Sequence, residues 1–107
     1  MNWLDICSIS DLIENAGVCA LVKGEQVAIF FVNQKTYALS NFDPFGNANV
    51  LYRGIVGDIK NQLVVASPLY KQHFVLKTGV CLEDENVILS VYASRIENGF
   101  VQIGVQS

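Results

Sequence analysis

The chain has 107 residues, of which 51% are hydrophobic and 16% are charged, and its formal net charge is −3. This composition excludes a disordered chain and predicts a globule with a substantial core, and the length suits a single domain of residues 1–107. The lysines are scattered and form no basic stripe, so we expect neither nucleic acid nor a membrane surface as a partner.

Several features of the sequence favour the cytoplasm. No apolar run is long enough to cross a bilayer, and acidic residues interrupt the N-terminal region where a secretory signal would be apolar. The cysteines Cys7, Cys19 and Cys81 are odd in number and widely spaced, which argues against a disulfide framework. Because their neighbours are apolar, we expect all three to be small buried side chains.

The first forty residues are rich in β-forming side chains. Residues 2–7 predict a first strand, and residues 10–14 predict one short helical turn capped by Ser10. Three β-rich segments separated by short turns then predict an antiparallel meander. These segments are residues 18–22, 26–32 and 36–39.

The remaining chain continues the β pattern. Residues 45–51 are small and polar and predict irregular structure, whereas Asn98-Gly99 predicts a hairpin because both residues accept positive φ. No segment of useful length has helical periodicity. The sequence therefore predicts an all-β fold, an antiparallel sandwich or partly open barrel with one short helical turn near the N-terminus. The later strands are expected at residues 53–58, 62–66, 73–76, 88–96 and 100–105.

Two loops carry the most specific pattern. The first reads Ser-Asn-Phe-Asp-Pro-Phe at residues 40–45, and the second reads Ser-Pro-Leu-Tyr-Lys-Gln-His at residues 67–73. The phrase Phe-Val-Leu-Lys-Thr-Gly follows at residues 74–79. This arrangement resembles a Rieske domain, in which C-x-H and C-x-x-H loops hold a two-iron, two-sulfur cluster through two thiolates and two imidazoles.

The ligand positions of that resemblance hold other residues here: Asn41, Asp43, Ser67 and Tyr70. An amide, a hydroxyl and a phenol that stays protonated near neutral pH are poor substitutes for thiolate and imidazole. The resemblance therefore implies a Rieske-like fold that has lost its metal ligands. We expect no metal, no cofactor-binding residue and no catalytic residue in this chain.

A narrower resemblance covers nearly the whole chain. Residues 41–45, 50–58, 67–72 and 74–82 resemble the small subunit of bacterial assimilatory NAD(P)H-nitrite reductase. This resemblance implies an accessory subunit of a cytoplasmic oxidoreductase that reduces nitrite to ammonium in nitrate and nitrite assimilation. The large subunit would be its partner and would carry FAD, siroheme and an iron–sulfur cluster.

The same resemblance places the partner contacts on the two loops, because ligand loops form the exposed end of Rieske domains that meets redox partners. Aromatic side chains are frequent anchors at interface centres. The predicted contact residues are Phe42, Phe45, Leu69, Tyr70, Lys71 and His73.

Other functions remain open from the residues alone. The chain could be an electron-carrying Rieske ferredoxin, or a stand-alone Rieske-like module that binds another oxidoreductase or a small ligand. A hydrolase could be assembled from Ser67, His73 and Asp43, although no G-x-S-x-G surrounds the serine and no carboxylate lies close to the histidine in sequence. Arg53 could bind an anion or pair with Asp58.

Overall fold

A computed structural model describes residues 1–106. Within these residues the chain forms twelve β-strands and two 3₁₀ turns, the latter at Ile9–Asp11 and Leu51–Arg53. No helix in this part of the chain has the length and apolar character needed to span a membrane. The strands are β1 (Asn2–Ser8), β2 (Ala16–Val22), β3 (Glu25–Val32), β4 (Lys35–Ser40), β5 (Phe42–Asp43), β6 (Ala48–Asn49), β7 (Ile55–Ile59), β8 (Gln62–Ala66), β9 (His73–Val75), β10 (Val91–Tyr92), β11 (Ser94–Glu97) and β12 (Phe100–Val105).

The predicted meander forms the central sheet, whose strand order is β10-β4-β3-β2 with antiparallel pairing throughout. Its hairpin turns have positive φ at both central residues, 49° and 83° at Lys23 and Gly24, and 52° and 68° at Asn33 and Gln34. Such turns match the right-handed twist of paired strands, which is why two-residue loops suffice here. The meander prediction is confirmed.

The central sheet is covered on both faces, so its strand β3 is an almost continuous apolar run. On one face Val27 and Ile29 pack with Val101 and Ile103 of the terminal sheet, whose order is β1-β12-β11. On the other face Phe30 joins a second cluster with side chains of the outer sheet, whose order is β7-β8-β9. Each fully buried aliphatic or aromatic side chain stabilises the fold by roughly 1.5–3 kcal/mol. The all-β sandwich prediction is confirmed, and no sheet closes on itself within the described chain.

Three local predictions need correction. The N-terminal turn is Ile9–Asp11 and is capped by Ser8, whose Oγ accepts from the backbone N–H of Ser10. The long strand expected at residues 88–96 is divided, because β10 pairs with the central sheet and β11 pairs with the terminal sheet. The segment expected to be irregular contains β6 and leads into the second 3₁₀ turn.

The cysteine prediction holds for only one of the three residues. Cys81 is buried in the core, Cys7 is partly exposed, and Cys19 is exposed because it lies on β2, the edge strand of the central sheet. Burial of the sulfur raises the pKa of the Cys81 thiol and that of Cys19. These thiols are therefore poor nucleophiles at neutral pH.

Candidate functional site

The two loops identified in the sequence lie against each other. The first contains the short hairpin of β5 and β6, in which Asp43 pairs with Ala48. The second follows β8, and its Leu69 packs on Gly46 so closely that a Cβ at the glycine would overlap Cδ1 of the leucine. We call these loops together, residues 40–46 and 67–73, the tip.

Asn41, at the first ligand position, is completely buried and joins several elements. Its Nδ2 donates to Oε1 of Gln26 and to the carbonyl oxygen of Asn49, each at 3.1 Å, and approaches Sγ of Cys19 at 3.4 Å. Its Oδ1 accepts from the backbone N–H of Tyr52 at 2.8 Å. The side chain therefore ties the start of the tip to β2, β3, β6 and the second 3₁₀ turn.

Asp43, at the second ligand position, is also completely buried. Its Oδ1 accepts from the backbone N–H groups of Phe45 at 2.8 Å and Gly46 at 3.2 Å. Its Oδ2 accepts from the hydroxyl of Ser67, the third ligand position. Two former ligand positions on different loops are thus bonded directly to each other.

These residues do not fit a two-iron, two-sulfur cluster. The polar atoms of Asn41 and Asp43 are already engaged by protein groups, and the phenol of Tyr70 is exposed to solvent. No group of three or more histidine, cysteine, aspartate or glutamate residues in the described part of the chain is arranged to hold a metal ion. The soft thiolates and the imidazoles that such a cluster requires are missing from all four positions.

His73 has a carboxylate partner that its sequence neighbourhood did not indicate. Glu83 accepts from the backbone N–H of His73 at 2.7 Å and contacts its Nδ1 at 2.6 Å. Partial burial acts to raise the pKa of Glu83, but the hydrogen bonds from His73 outweigh it and lower that pKa. The predicted contact residue is therefore partly exposed and is hydrogen-bonded to a carboxylate at the edge of the tip.

The lowered pKa of Glu83 predicts a specific pH dependence for Glu83→Gln. A lowered carboxyl pKa stabilises the folded state above the ordinary glutamate value of about 4.3, and this contribution is lost as the pH falls through the lowered value. We expect the variant to melt roughly 2–5 °C below the wild type at pH 6, and we expect this difference to shrink as the pH falls below about 4.3. Thermal melts across this range check the result, with Glu85→Gln in the same exposed loop as the control; a constant difference at every pH would contradict it.

The predicted contact residues divide into exposed and partly buried side chains. Leu69 and Tyr70 are exposed to 45% and 64%, and Phe42 and Lys71 are exposed beside them on the tip. Phe45 turns inward instead, and its ring centroid lies 6.3 Å from that of the buried Phe74. Four of the six predicted residues thus present accessible side chains at the tip.

Sequence reasoning missed one exposed apolar residue next to the tip. Ile55 is 77% exposed and pairs with Ala66, the residue immediately before the second loop. Its neighbour Val56 points into the core cluster, so the two alternate across β7 as strand residues do. Alternation in the sequence could not have indicated this, because period two groups Ile55 with Ile59 and groups Val56 with Asp58.

The hydrolase arrangement is not formed. The hydroxyl of Ser67 is bonded to Asp43 rather than to an imidazole, and the ring of His73 is bonded to Glu83. Within residues 1–106, Arg53 forms no ion pair with Asp58. Its Nε donates to the hydroxyl of Tyr52 at 3.0 Å.

Comparison with known proteins identifies the family. Residues 2–104 match the model of a Rieske-like [2Fe-2S] domain. The NADH nitrite reductase small subunit of Salmonella typhimurium is 47% identical over 104 residues, which cover 95% of this chain and 96% of that protein. This chain belongs to the family of NADH nitrite reductase small subunits.

Solved structures agree with the family assignment. A small subunit from Mycobacterium tuberculosis, described as that of an NADH-dependent nitrite reductase, superposes with a TM-score of 0.93 at 38% identity and covers 99% of this chain and 96% of its own. A ferredoxin of carbazole 1,9a-dioxygenase from Nocardioides aromaticivorans superposes with a TM-score of 0.85 at only 17% identity, covering 99% and 100% of the two chains. At this low identity, the likeness to the ferredoxin shows that the two proteins share a fold and nothing more. The small subunit family therefore has a Rieske-like fold.

One further relative is much longer than this chain. The nitrite reductase [NAD(P)H] large subunit of Klebsiella oxytoca is 36% identical over 104 residues, which cover 97% of this chain but 11% of that polypeptide. A domain related to the small subunit family is thus part of a large-subunit polypeptide in that organism.

Proposed function

We propose that this chain is the cofactor-free accessory subunit of a cytoplasmic NAD(P)H-dependent nitrite reductase that works in nitrate and nitrite assimilation. It binds the large subunit through the tip and is required for full activity. The large subunit carries FAD, siroheme and an iron–sulfur cluster and performs the reduction of nitrite to ammonium. The small subunit has no catalytic centre of its own.

The donor chemistry of the tip is the observation on which this proposal depends. The fold is that of cluster-binding domains, yet thiolate and imidazole are absent from the positions of Asn41, Asp43, Ser67 and Tyr70. Without those ligands an electron would have no redox group to occupy. A contribution to activity must then come from contact with a partner that holds the cofactors, by fixing their orientation and access.

The Klebsiella oxytoca relative supports the choice of partner. A related domain there occupies part of the same polypeptide as the large subunit. Covalent linkage keeps two units at a high effective concentration, which benefits units that act together. A separate chain of the same family must reach the same contact by binding, and this favours the large subunit as its partner.

The composition of the tip surface supports the location of the contact. Phe42, Leu69 and Tyr70 are exposed apolar or aromatic side chains on two loops that are bonded to each other. Interface cores are enriched in aromatic residues and depleted in charged ones, and Lys71 supplies a polar rim. An apolar group of this kind on a Rieske-like end is typical of a partner contact.

Metal analysis tests the absence of a cofactor. We expect anaerobically purified protein to contain much less than one iron and one acid-labile sulfide per chain, because its donor set is hard and already bonded. A Rieske ferredoxin prepared in parallel verifies that the procedure preserves clusters. Stoichiometric iron and sulfide with visible absorbance bands would overturn this part of the proposal and favour an electron carrier.

A reconstitution assay tests the accessory role. Purified large subunit is titrated with this chain while NADH-dependent nitrite consumption is followed, and the rate should rise to saturation at a fixed subunit ratio. A rate independent of added chain, in an assay where the large subunit holds its full cofactor complement, would contradict the proposal.

A further inference from the structure

The tip has no metal ligands, yet its two loops are firmly connected. We propose that Asp43 and Ser67 are positioning residues that hold the two loops in one arrangement, a metal-free cross-link that prepares the exposed side chains for the large subunit. This inference rests on the proposed function for its partner, but the cross-link itself can be measured on the isolated chain.

The carboxylate of Asp43 joins the two loops at one point. It accepts from two backbone N–H groups of its own loop, at Phe45 and Gly46, and from the hydroxyl of Ser67 in the other loop. Because Asp43 is fully buried, the loss of a donor would leave part of its carboxylate unpaired away from bulk solvent. Hydrogen bonds to a charged acceptor are also stronger than neutral ones. The contact therefore resists separation of the loops.

Ser67 organises the second loop in the same way. Its backbone N–H donates to the carbonyl oxygen of Gln72 at 2.9 Å, and its carbonyl oxygen accepts from the N–H of Lys71 at 3.1 Å. Its hydroxyl oxygen also accepts from the N–H of Leu69 at 3.4 Å. The serine that receives the cross-link is thus the residue around which the segment bearing Leu69 and Tyr70 is folded.

A second contact lies beside the hydrogen bond. Leu69 packs against Gly46, where any side chain would collide with it. Gly46 also donates its N–H to Asp43, so the polar and the apolar contacts between the loops share one turn. Two adjacent contacts define the relative position of the loops better than one does, because they restrict rotation as well as separation.

The benefit for binding is preorganisation. Loops are usually the mobile parts of a fold, and ordering them on association reduces affinity. If the loops are held before the partner arrives, more of the contact energy of Leu69 and Tyr70 is available for the complex. This chain joins its two loops with its own side chains, Asp43 and Ser67.

Amide hydrogen exchange on the isolated chain tests the cross-link. We expect Ser67→Ala to speed exchange of the tip amides at residues 42–43, 45–46 and 69–72 by about tenfold, the loss of one buried hydrogen bond, and Asp43→Ala to speed it at least as much, because that variant also removes the acceptor of the Phe45 and Gly46 amides. The amides of β3 should be unaffected. The double variant should resemble Asp43→Ala, because Asp43→Ala already removes the bond that Ser67→Ala removes. Unchanged exchange in the tip, or effects that simply add, would overturn the inference.

Asp43→Asn separates positioning from charge. Its amide oxygen can still accept from Phe45 and Gly46, and its amide N–H can donate to Oγ of Ser67. We expect tip exchange within about threefold of the wild type, in contrast to Asp43→Ala, since the bonded geometry is preserved. Exchange as fast as in Asp43→Ala would contradict the positioning role.

Affinity for the large subunit tests the functional part. We expect Ser67→Ala to weaken binding by about tenfold at a temperature where circular dichroism shows it fully folded, and Asp43→Asn to bind almost as the wild type does. Altered exchange with unchanged affinity would refute the role in docking while leaving the cross-link established. A wild-type chain that does not bind the large subunit would refute the proposed function, and the exchange experiment would still decide on the cross-link.

Discussion

The double substitution Leu69→Ala and Tyr70→Ala is expected to weaken the complex with the large subunit by about 30-fold or more. Interface anchors lose roughly 2 kcal/mol or more on truncation, and each 1.4 kcal/mol corresponds to tenfold in the dissociation constant. Tyr70 is 64% exposed in the isolated chain, so its removal should leave the stability almost unchanged, whereas Leu69 also packs on Gly46 and its removal should lower the stability slightly. Calorimetric titration of the purified subunits measures the effect.

Phe100→Ala is the matched control for this substitution. Phe100 is an exposed aromatic residue, accessible to 46%, on β12 of the terminal sheet, which covers the face of the central sheet opposite to the outer sheet. Its truncation should leave the affinity within about twofold of the wild type, as expected for a residue outside the interface. Equal losses for both variants, or no loss for the tip variant, would contradict docking through the tip. Phe45→Ala is unsuitable here because Phe45 packs on Phe74 and would report on stability.

Asn41→Ala is expected to lower the free energy of unfolding by roughly 3 kcal/mol. The substitution leaves the N–H of Tyr52 and the carbonyl oxygen of Asn49 without their present partners. Both groups face the side chain of Asn41, which is fully buried. Unsatisfied buried polar groups each destabilise a fold by about 1–3 kcal/mol. Urea unfolding followed by circular dichroism measures the change.

Asn41→Asp tests whether the amide donor is the essential feature. The carboxylate still accepts from Tyr52, but an oxygen replaces the amide nitrogen that faces the acceptors of Gln26 and Asn49. We expect a loss at neutral pH at least as large as that of Asn41→Ala, because a buried charge would face two acceptors. Asn2→Ala, on the exposed first residue of β1, should change stability by less than about 0.5 kcal/mol. A stability near that of the wild type for Asn41→Asp would show that the hydrogen bonds of Asn41 are replaceable.

Local sequence patterns determined most of the strands of this protein. Turn pairs such as Lys23-Gly24 and Asn98-Gly99 contain a glycine that accepts positive φ at little steric cost, so the hairpins could be predicted from adjacent residues. Alternation and β-rich composition likewise indicated the central meander. The order of residues 41 to 79 was sufficient to recognise a Rieske-like pattern, and the residue types alone showed that thiolate and imidazole are missing from it.

The connection between the loops was decided only by the tertiary structure. Asp43 and Ser67 are 24 positions apart, and no periodicity indicates that one donates to the other. His73 and Glu83 meet because the chain after β9 turns back, and Phe45 faces inward because Phe74 of the outer sheet offers an apolar surface. Residue types set which ligands a site can offer, whereas distances between remote side chains depend on how the sheets pack. For that reason the sequence could show that thiolate and imidazole are missing from the four positions of the Rieske-like pattern, and only the fold could show what holds the two loops together.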